Sequence, residues 1–300
     1  MAIRGFENYL KIDKSLSVNS IEAYLTDINV LADFMTSEPH LTLPDNIDRD
    51  TMNDFFIYLT EEKHLQIISQ VRYRSSINAF YKYLIYLNVT DFNPLNLTET
   101  PKIGRKIPQV LSFEEVEAME KTIDLNNPIG YRDICILELL YSCGLRVSEL
   151  INLQMENLHL DEDFILVKGK GNKERLVPIN AYAQKTYYDY IQNFRSHLQI
   201  PPEEESYVFL NRRGNHLSRM WIFKIVKNAA TNAGIKKDIS PHTLRHSFAT
   251  DLLYGGADLP SIQAMLGHSS ITTTEIYTHI DKSFLLEALR NCHPRYKITD

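Results

Sequence analysis

The sequence predicts a two-domain, mainly α-helical protein: a helical N-terminal domain, then a mixed α/β domain that is mostly helical with a small β-hairpin or sheet. Three observations predict it. The chain has 300 residues, a length that suits two domains. Apolar residues in the first hundred recur at helical spacing, with no strand signal. After a stretch with two prolines, a glycine and three basic residues at 98–110, the pattern changes, and two apolar runs flank a glycine-rich turn. The expected bounds are 1–97 for the first domain, 98–111 for the linker and 112–300 for the second domain.

In the first domain, Ile21, Tyr24, Leu25, Ile28, Leu31 and Met35 form a stripe at i, i+3, i+4, i+7, i+10 and i+14, the signature of one buried helix face. Asn19 with Glu22 is read as a capping pair at its start. A second helix begins near Asp48 or Asp50 and carries Phe55, Phe56 and Leu59. A third carries Ile77, Phe80, Tyr81 and Leu84, and Asn93-Pro94 stops helical structure. Past the linker, Ser112 and Glu115 form a capping box with Leu111 and Val116 as its hydrophobic staple. A helix over 131–141 ends near Gly144. Phe164–Val167 and Leu176–Ile179 flank Gly169-Lys170-Gly171-Asn172, which reads as a hairpin. Ser218 to Ala233 reads as a helix closed by Gly234, and further helices are expected near 243–254, 260–266, 271–279 and 283–291.

Composition narrows the class. Hydrophobic residues make up 44% and charged ones 23%, as in a soluble globular protein. No apolar run reaches membrane-spanning length, and charges fall too early in MAIRGFENYLKIDK for a signal peptide. Three cysteines, Cys135, Cys143 and Cys292, form no CxxC pair, which fits a reducing cytoplasm better than a disulfide framework or a zinc site. The net charge of -6 argues against a nucleic-acid partner, but the charge is segregated. Residues 1–65 hold five basic groups against twelve acidic ones, whereas residues 211–245 hold eight basic groups against Asp238 alone. A basic face on an acidic body can still bind phosphates, because screening limits interactions to about 10 Å at 0.1 M salt; the same run is also compatible with a solvated helix face.

Six residues in four segments carry the chemical interest: Arg146 in CGLRVSEL, Lys170 in VKGKGNKERLVPI, His242 and Arg245 in SPHTLRHSFATDLL, and His268 and Tyr277 in LGHSSITTTEIYTH. Singly, each has an ordinary explanation, such as an Arg146–Glu149 surface pair, a solvated turn lysine or a core tyrosine among 17. As a set they suit phosphoryl transfer. His242 and Arg245 share one helix face by their i, i+3 spacing. Two arginines can clamp the non-bridging oxygens of a phosphodiester, a lysine on a hairpin can protonate a leaving oxygen, histidines can donate to the phosphate or take a proton, and a tyrosine can be the nucleophile. No HExxH, acidic cluster or phosphate loop is present, so the expected site uses no metal and no cofactor.

These segments, with the late CHPR, resemble the signature segments of the Xer site-specific recombinases within the tyrosine recombinase (phage integrase) family, and the resemblance runs over nearly the whole chain. It implies a helical, SAM-like core-binding domain and a tyrosine recombinase catalytic domain closing around double-stranded DNA. It also implies that Arg146, Lys170, His242, Arg245 and His268 assist Tyr277 in attacking the scissile phosphate to give a 3′-phosphotyrosine, and that the enzyme resolves chromosome dimers at a short target site. Implied partners are a specific recombination site, itself or a second related recombinase in a tetramer on two sites, and a DNA translocase of the cell-division machinery.

Further phosphate contacts are expected from Arg72, Arg74 and Lys82 in the first domain and from Arg212, Arg213, Arg219, Lys224 and Lys227 in the second. The stripe Phe284, Leu285, Ala288 and Leu289 is expected to bury in a neighbouring protomer's groove, with packing on its own domain as the alternative. Competing functions are an integrase of a mobile element, a type IB topoisomerase, and a DNA-binding module without activity; the last would lack at least one of the six residues.

Overall fold

The computed structural model describes residues 2–37, 47–98, 109–169, 174–267 and 282–297. The chain divides into two compact units, residues 1–106 and 107–300.

The first unit holds four helices: α1 (Ala2–Ile12), α2 (Val18–Ser37), α3 (Arg49–Glu61) and α4 (Ile67–Tyr86). The stripe read from sequence forms α2, with Ile21, Ile28, Leu31 and Met35 buried. Its start is two residues earlier than expected. Ser17 precedes the helix and its Oγ accepts from the Ser20 N–H at 3.4 Å, so the capping pair expected at Asn19 and Glu22 lies inside the first turn. Asp48 caps α3 by accepting from the Thr51 N–H at 2.8 Å, and Phe55 and Leu59 are buried as expected. α1 was missing from the expected elements. It is short, and only Phe6 and Leu10 anchor it in the core, with Phe6 edge-on to Phe80 at 5.1 Å. Among the described residues Asp27 is the one carboxylate buried in this core. It accepts from the Ser76 hydroxyl at 2.7 Å and pairs with Arg72 at 2.7 Å, which meets the requirement that a buried charge be partnered. Burial still pushes its carboxyl above the usual range.

The second unit is built around α6 (Ile129–Ser142), most of whose residues are buried. The capping box before α5 (Phe113–Lys121) has both arms: the Ser112 N–H donates to Glu115 at 2.8 Å and the Glu115 N–H to Ser112 Oγ at 3.3 Å. α7 (Val147–Ile151) follows α6 closely. The expected hairpin is β2 (Phe164–Lys168) paired antiparallel with β3 (Glu174–Pro178), in register Phe164 to Pro178 and Lys168 to Glu174. A two-residue β1 (Leu158–His159) adds a third strand on the other side of β2; it is too short to leave a periodic signal. α8 (Ala181–Asn193) was also not expected, because its buried face is carried by Ala183, Thr186, Tyr187 and Tyr190 instead of aliphatic residues. The spacing is helical, and the Tyr190 hydroxyl donates to the Val208 carbonyl at 2.8 Å. α9 (Arg219–Asn232), α10 (Pro241–Tyr254), α11 (Leu259–Leu266), α12 (Lys282–Cys292) and the short α13 (Pro294–Lys297) complete the unit. The helix expected over 271–279 lies outside the described residues.

In the single chain the tail takes the alternative packing, on its own domain. Leu285 and Leu289 do need a groove, and their own domain supplies it. Both are buried with Phe248 and Leu252 of α10 and Met265 and Leu266 of α11. Beyond them, Arg295 is buried at 5% exposure and pairs with Glu120 at 2.7 Å and Glu138 at 2.9 Å. Its guanidinium also lies 4.5 Å from the Tyr182 ring centre. Burial first, and the adjacent Glu138 second, push the Glu120 carboxyl above its usual range. His293 is fully buried against Tyr141 and Phe248, and burial lowers it to about 3, so it is neutral.

One glycine is fixed by this docking. A Cβ at Gly255, the last residue of the α10 turn, would lie 2.1 Å from the Cys292 carbonyl oxygen. Gly255→Ala is therefore expected to lift α12 from its groove. An inserted methyl that cannot be accommodated costs about 1–3 kcal/mol, which makes local opening roughly 10- to 100-fold more frequent. Cys292, buried in the docked state, should react with a thiol reagent faster by that factor, while Cys135 and Cys143 remain slow.

Candidate active site

The site is organised by one carboxylate. Glu149 lies on α7, three residues after Arg146, and is 6% exposed. Its side chain reaches back to the Arg146 backbone N–H at 2.8 Å and takes the Arg146 guanidinium at 2.7 Å. Arg175 of β3 grips the same carboxylate with two parallel bonds of 2.7 and 2.8 Å. Arg245 of α10 comes to 3.8 Å of its Oε2. Burial alone would raise the Glu149 carboxyl, but the bonds and charge of Arg175, and then those of Arg146, outweigh it and hold it at about 2.

The three guanidiniums are also held by three consecutive carbonyls at the end of α11. Arg175 Nε donates to Met265 at 2.7 Å, Arg245 to the Leu266 carbonyl, and Arg146 to Gly267 at 3.0 Å. Arg245 donates in addition to the Gly144 carbonyl. The last carbonyls of a helix lack intrahelical partners and carry partial negative charge, so cations are favoured there. Gly144 sits at φ +57°, and a Cβ on it would lie 2.5 Å from the Phe248 ring; glycine lets the Arg146 loop close over α10. Burial, and then the neighbouring Arg146, push the Arg245 guanidinium below its usual value. Net positive charge is thus concentrated here, which is what an entering phosphate requires.

Of the residues singled out from sequence, the structure brings together Arg146 and Arg245, on one carboxylate. His242 lies one turn before Arg245 on α10 and is exposed. Lys170, His268 and Tyr277 lie outside the described residues. Their flanking elements meet nonetheless, since the Arg175 bond to Met265 ties the strand after Lys170 to the turn before His268. Arg175 itself was not singled out. The only sequence signal for it was its place in the quoted GKGNKERLVP segment, where a lysine-rich turn made it look like one more solvated charge. Among the expected DNA contacts, Arg72, Lys82, Arg212, Arg213, Arg219, Lys224 and Lys227 are exposed. Arg74 is not free for DNA: its guanidinium donates to Thr98 Oγ1 at 2.6 Å, Thr98 O at 2.9 Å and Leu95 O at 3.1 Å. It fastens the turn after α4 to the helix, because those carbonyls need donors. Among the described residues no group of three or more His, Cys, Asp and Glu could hold a metal, and no helix is long and apolar enough to cross a membrane.

Comparison with known proteins gives the family. Residues 109–283 match the phage integrase family and residues 3–87 its N-terminal SAM-like domain. The chain belongs to the phage integrase family as a site-specific tyrosine recombinase, an enzyme that breaks and rejoins DNA strands. The particular relatives are proteins named tyrosine recombinase XerD: that of Listeria innocua is 40% identical and that of Staphylococcus aureus 42% identical, each over 98% of this chain and 98% of the relative. Among solved structures, XerH bound to its difH substrate in a pre-cleavage complex superposes with a TM-score of 0.67 at 25% identity, over 95% of this chain and 83% of that one. The XerA recombinase gives 0.50 at 30% identity, over 95% of each chain.

The Glu149 anchor has a defined pH signature. Its folded carboxyl sits near 2 against an ordinary value of 4.5, so the stability it contributes is present above about pH 4.5 and is lost as pH falls toward 2. Glu149→Gln should flatten that part of the acid unfolding curve. At pH 7 it should lower stability by about 3–5 kcal/mol, because three guanidiniums lose their common anion. Denaturant titration at both pH values measures each effect.

Proposed function

We propose that this recombinase cuts each strand through Tyr277 and that its task is resolving chromosome dimers at a short recombination site. The observation that carries the reading is the pair Arg146 and Arg245 on one buried carboxylate, two guanidiniums set for one phosphate. In this reading the Tyr277 oxygen attacks phosphorus, the bond to the 5′-oxygen breaks, and a 3′-phosphotyrosine and a free 5′-hydroxyl result. Lys170 gives the leaving oxygen its proton. Arg146 and Arg245 hold the non-bridging oxygens, while His242 and His268 donate to the phosphate or take the tyrosine proton. The 5′-hydroxyl of the partner strand then attacks the phosphotyrosine and releases Tyr277. The ester keeps the bond's energy, so no nucleotide cofactor is needed.

Arg72, Lys82, Arg212, Arg213, Arg219, Lys224 and Lys227 are exposed and would contact the DNA backbone, Arg72 with the part of its guanidinium that Asp27 does not hold. The relatives' name favours a chromosomal Xer role over that of a mobile-element integrase. The working complex would be a tetramer on two sites, formed with itself or a second recombinase, in the cytoplasm and under control of a DNA translocase of the division machinery.

Two variants test the chemistry. On a nicked suicide substrate the full-length enzyme should be trapped as a covalent adduct, and Tyr277→Phe should bind the same DNA yet give none; an adduct from that variant would refute the assignment. Lys170→Ala should cleave ordinary DNA about 10²–10⁴-fold more slowly, the usual contribution of a general acid. It should cleave a 5′-bridging phosphorothioate at nearly the normal rate, since sulfur leaves without a proton, whereas Arg146→Ala should be slow on both.

A further inference from the structure

We propose that Arg175 is a positioning residue of the strand-cleavage reaction: it neutralises Glu149, so that Arg146 and Arg245 keep their charge for the phosphate. The proposal rests on the reading of Arg146 and Arg245 as the phosphate clamp.

The Arg175 guanidinium is turned to Glu149 and the end of α11. Its Nη atoms both go to Glu149 and its Nε goes to the Met265 carbonyl, leaving a side chain that is only 11% exposed. The Arg146 guanidinium makes one bond to the carboxylate and its side chain is 32% exposed, while Arg245, 9% exposed, approaches no nearer than 3.8 Å. The strongest grip on Glu149 therefore belongs to Arg175, which gives it both Nη atoms, and not to either arginine of the clamp. The charge count gives the reason. Glu149 and Arg175 cancel, and Arg146 and Arg245 present two positive charges. Without Arg175, the same carboxylate would be balanced by the clamp itself, one positive charge would remain, and a buried anion would compete with the phosphate for both guanidiniums. Arg175 is also the link between the strand following Lys170 and the turn preceding His268. A Cβ at Gly267 would come within 3.0 Å of Arg175 Cδ, so that turn is packed against its stem.

The test uses the full-length enzyme and a suicide substrate at saturating protein, with site affinity measured separately. Arg175→Met keeps the stem and removes the charge. It should slow cleavage roughly 10²–10³-fold, the usual loss for one element of preorganised electrostatic stabilisation, while affinity for the site stays within about threefold because phosphate contacts are spread over both domains. Arg175→Lys keeps the charge and should stay within about tenfold of wild type. The deciding variant is the double one, Arg175→Met with Glu149→Gln. Removing the unbalanced carboxylate should restore cleavage at least tenfold over Arg175→Met alone. A double variant no faster than the single, or Arg175→Lys as slow as Arg175→Met, would overturn the proposal, since a purely structural arginine would not be rescued by losing its partner. Arg146→Ala serves as the control for the underlying reading: if it cleaves at the wild-type rate, the clamp assignment fails, and that failure is separate from any result at Arg175.

Discussion

The buried carboxylate of Glu149 is the constraint on which the catalytic domain depends. A carboxylate this far from water is tolerated only with strong, well-oriented partners. It has the Arg146 backbone and guanidinium, the two-pronged Arg175, and Arg245 nearby. Those partners come from α7, β3 and α10, so satisfying one charge draws three separate segments to one point. The same guanidiniums then satisfy the last carbonyls of α11. For the proposed phosphate clamp this means preorganisation before DNA arrives, because the positive charges are held by the fold and need not be gathered at the moment of reaction.

The C-terminal tail uses the same device for a different purpose. Arg295 carries its charge into the core beside Glu120 and Glu138, and the neutral His293 packs among aromatic rings. These contacts hold the tail to the domain's own surface more specifically than the apolar stripe of Leu285 and Leu289 could. An apolar stripe fits any apolar groove of suitable width, whereas a buried guanidinium between two carboxylates fits one place. The tail's cis position therefore follows from Arg295 as much as from burial of leucine.

Charge is divided between domains and faces in a way that reconciles a net charge of -6 with a DNA substrate. The exposed cations of 212–227 stand in a segment with no acidic residue. Arg72 and Arg74 show how one residue type serves two ends. Arg72 is partly held by buried Asp27 and keeps nearly half its surface in solvent, whereas Arg74 spends its donors on the carbonyls of the turn at 95–98.

Local patterns determined much of this protein. The α2 and α3 stripes, the Ser112–Glu115 box, the pairing of β2 with β3 and the closely spaced His242 and Arg245 were legible because each depends on residues a few positions apart, where helical or strand periodicity acts directly. α8 escaped because tyrosine carried its buried face, and β1 because two residues have no period. What only the tertiary structure decided involves partners far apart in sequence. Arg175 meets a carboxylate 26 residues away and a carbonyl 90 residues away. Arg295 finds Glu120 across 175 residues. Arg74 meets Thr98 across 24. A guanidinium looks the same in sequence whether it will hold DNA, a helix end or a buried glutamate. The choice is made by burial, which removes water as a competing partner, and burial belongs to the folded chain as a whole.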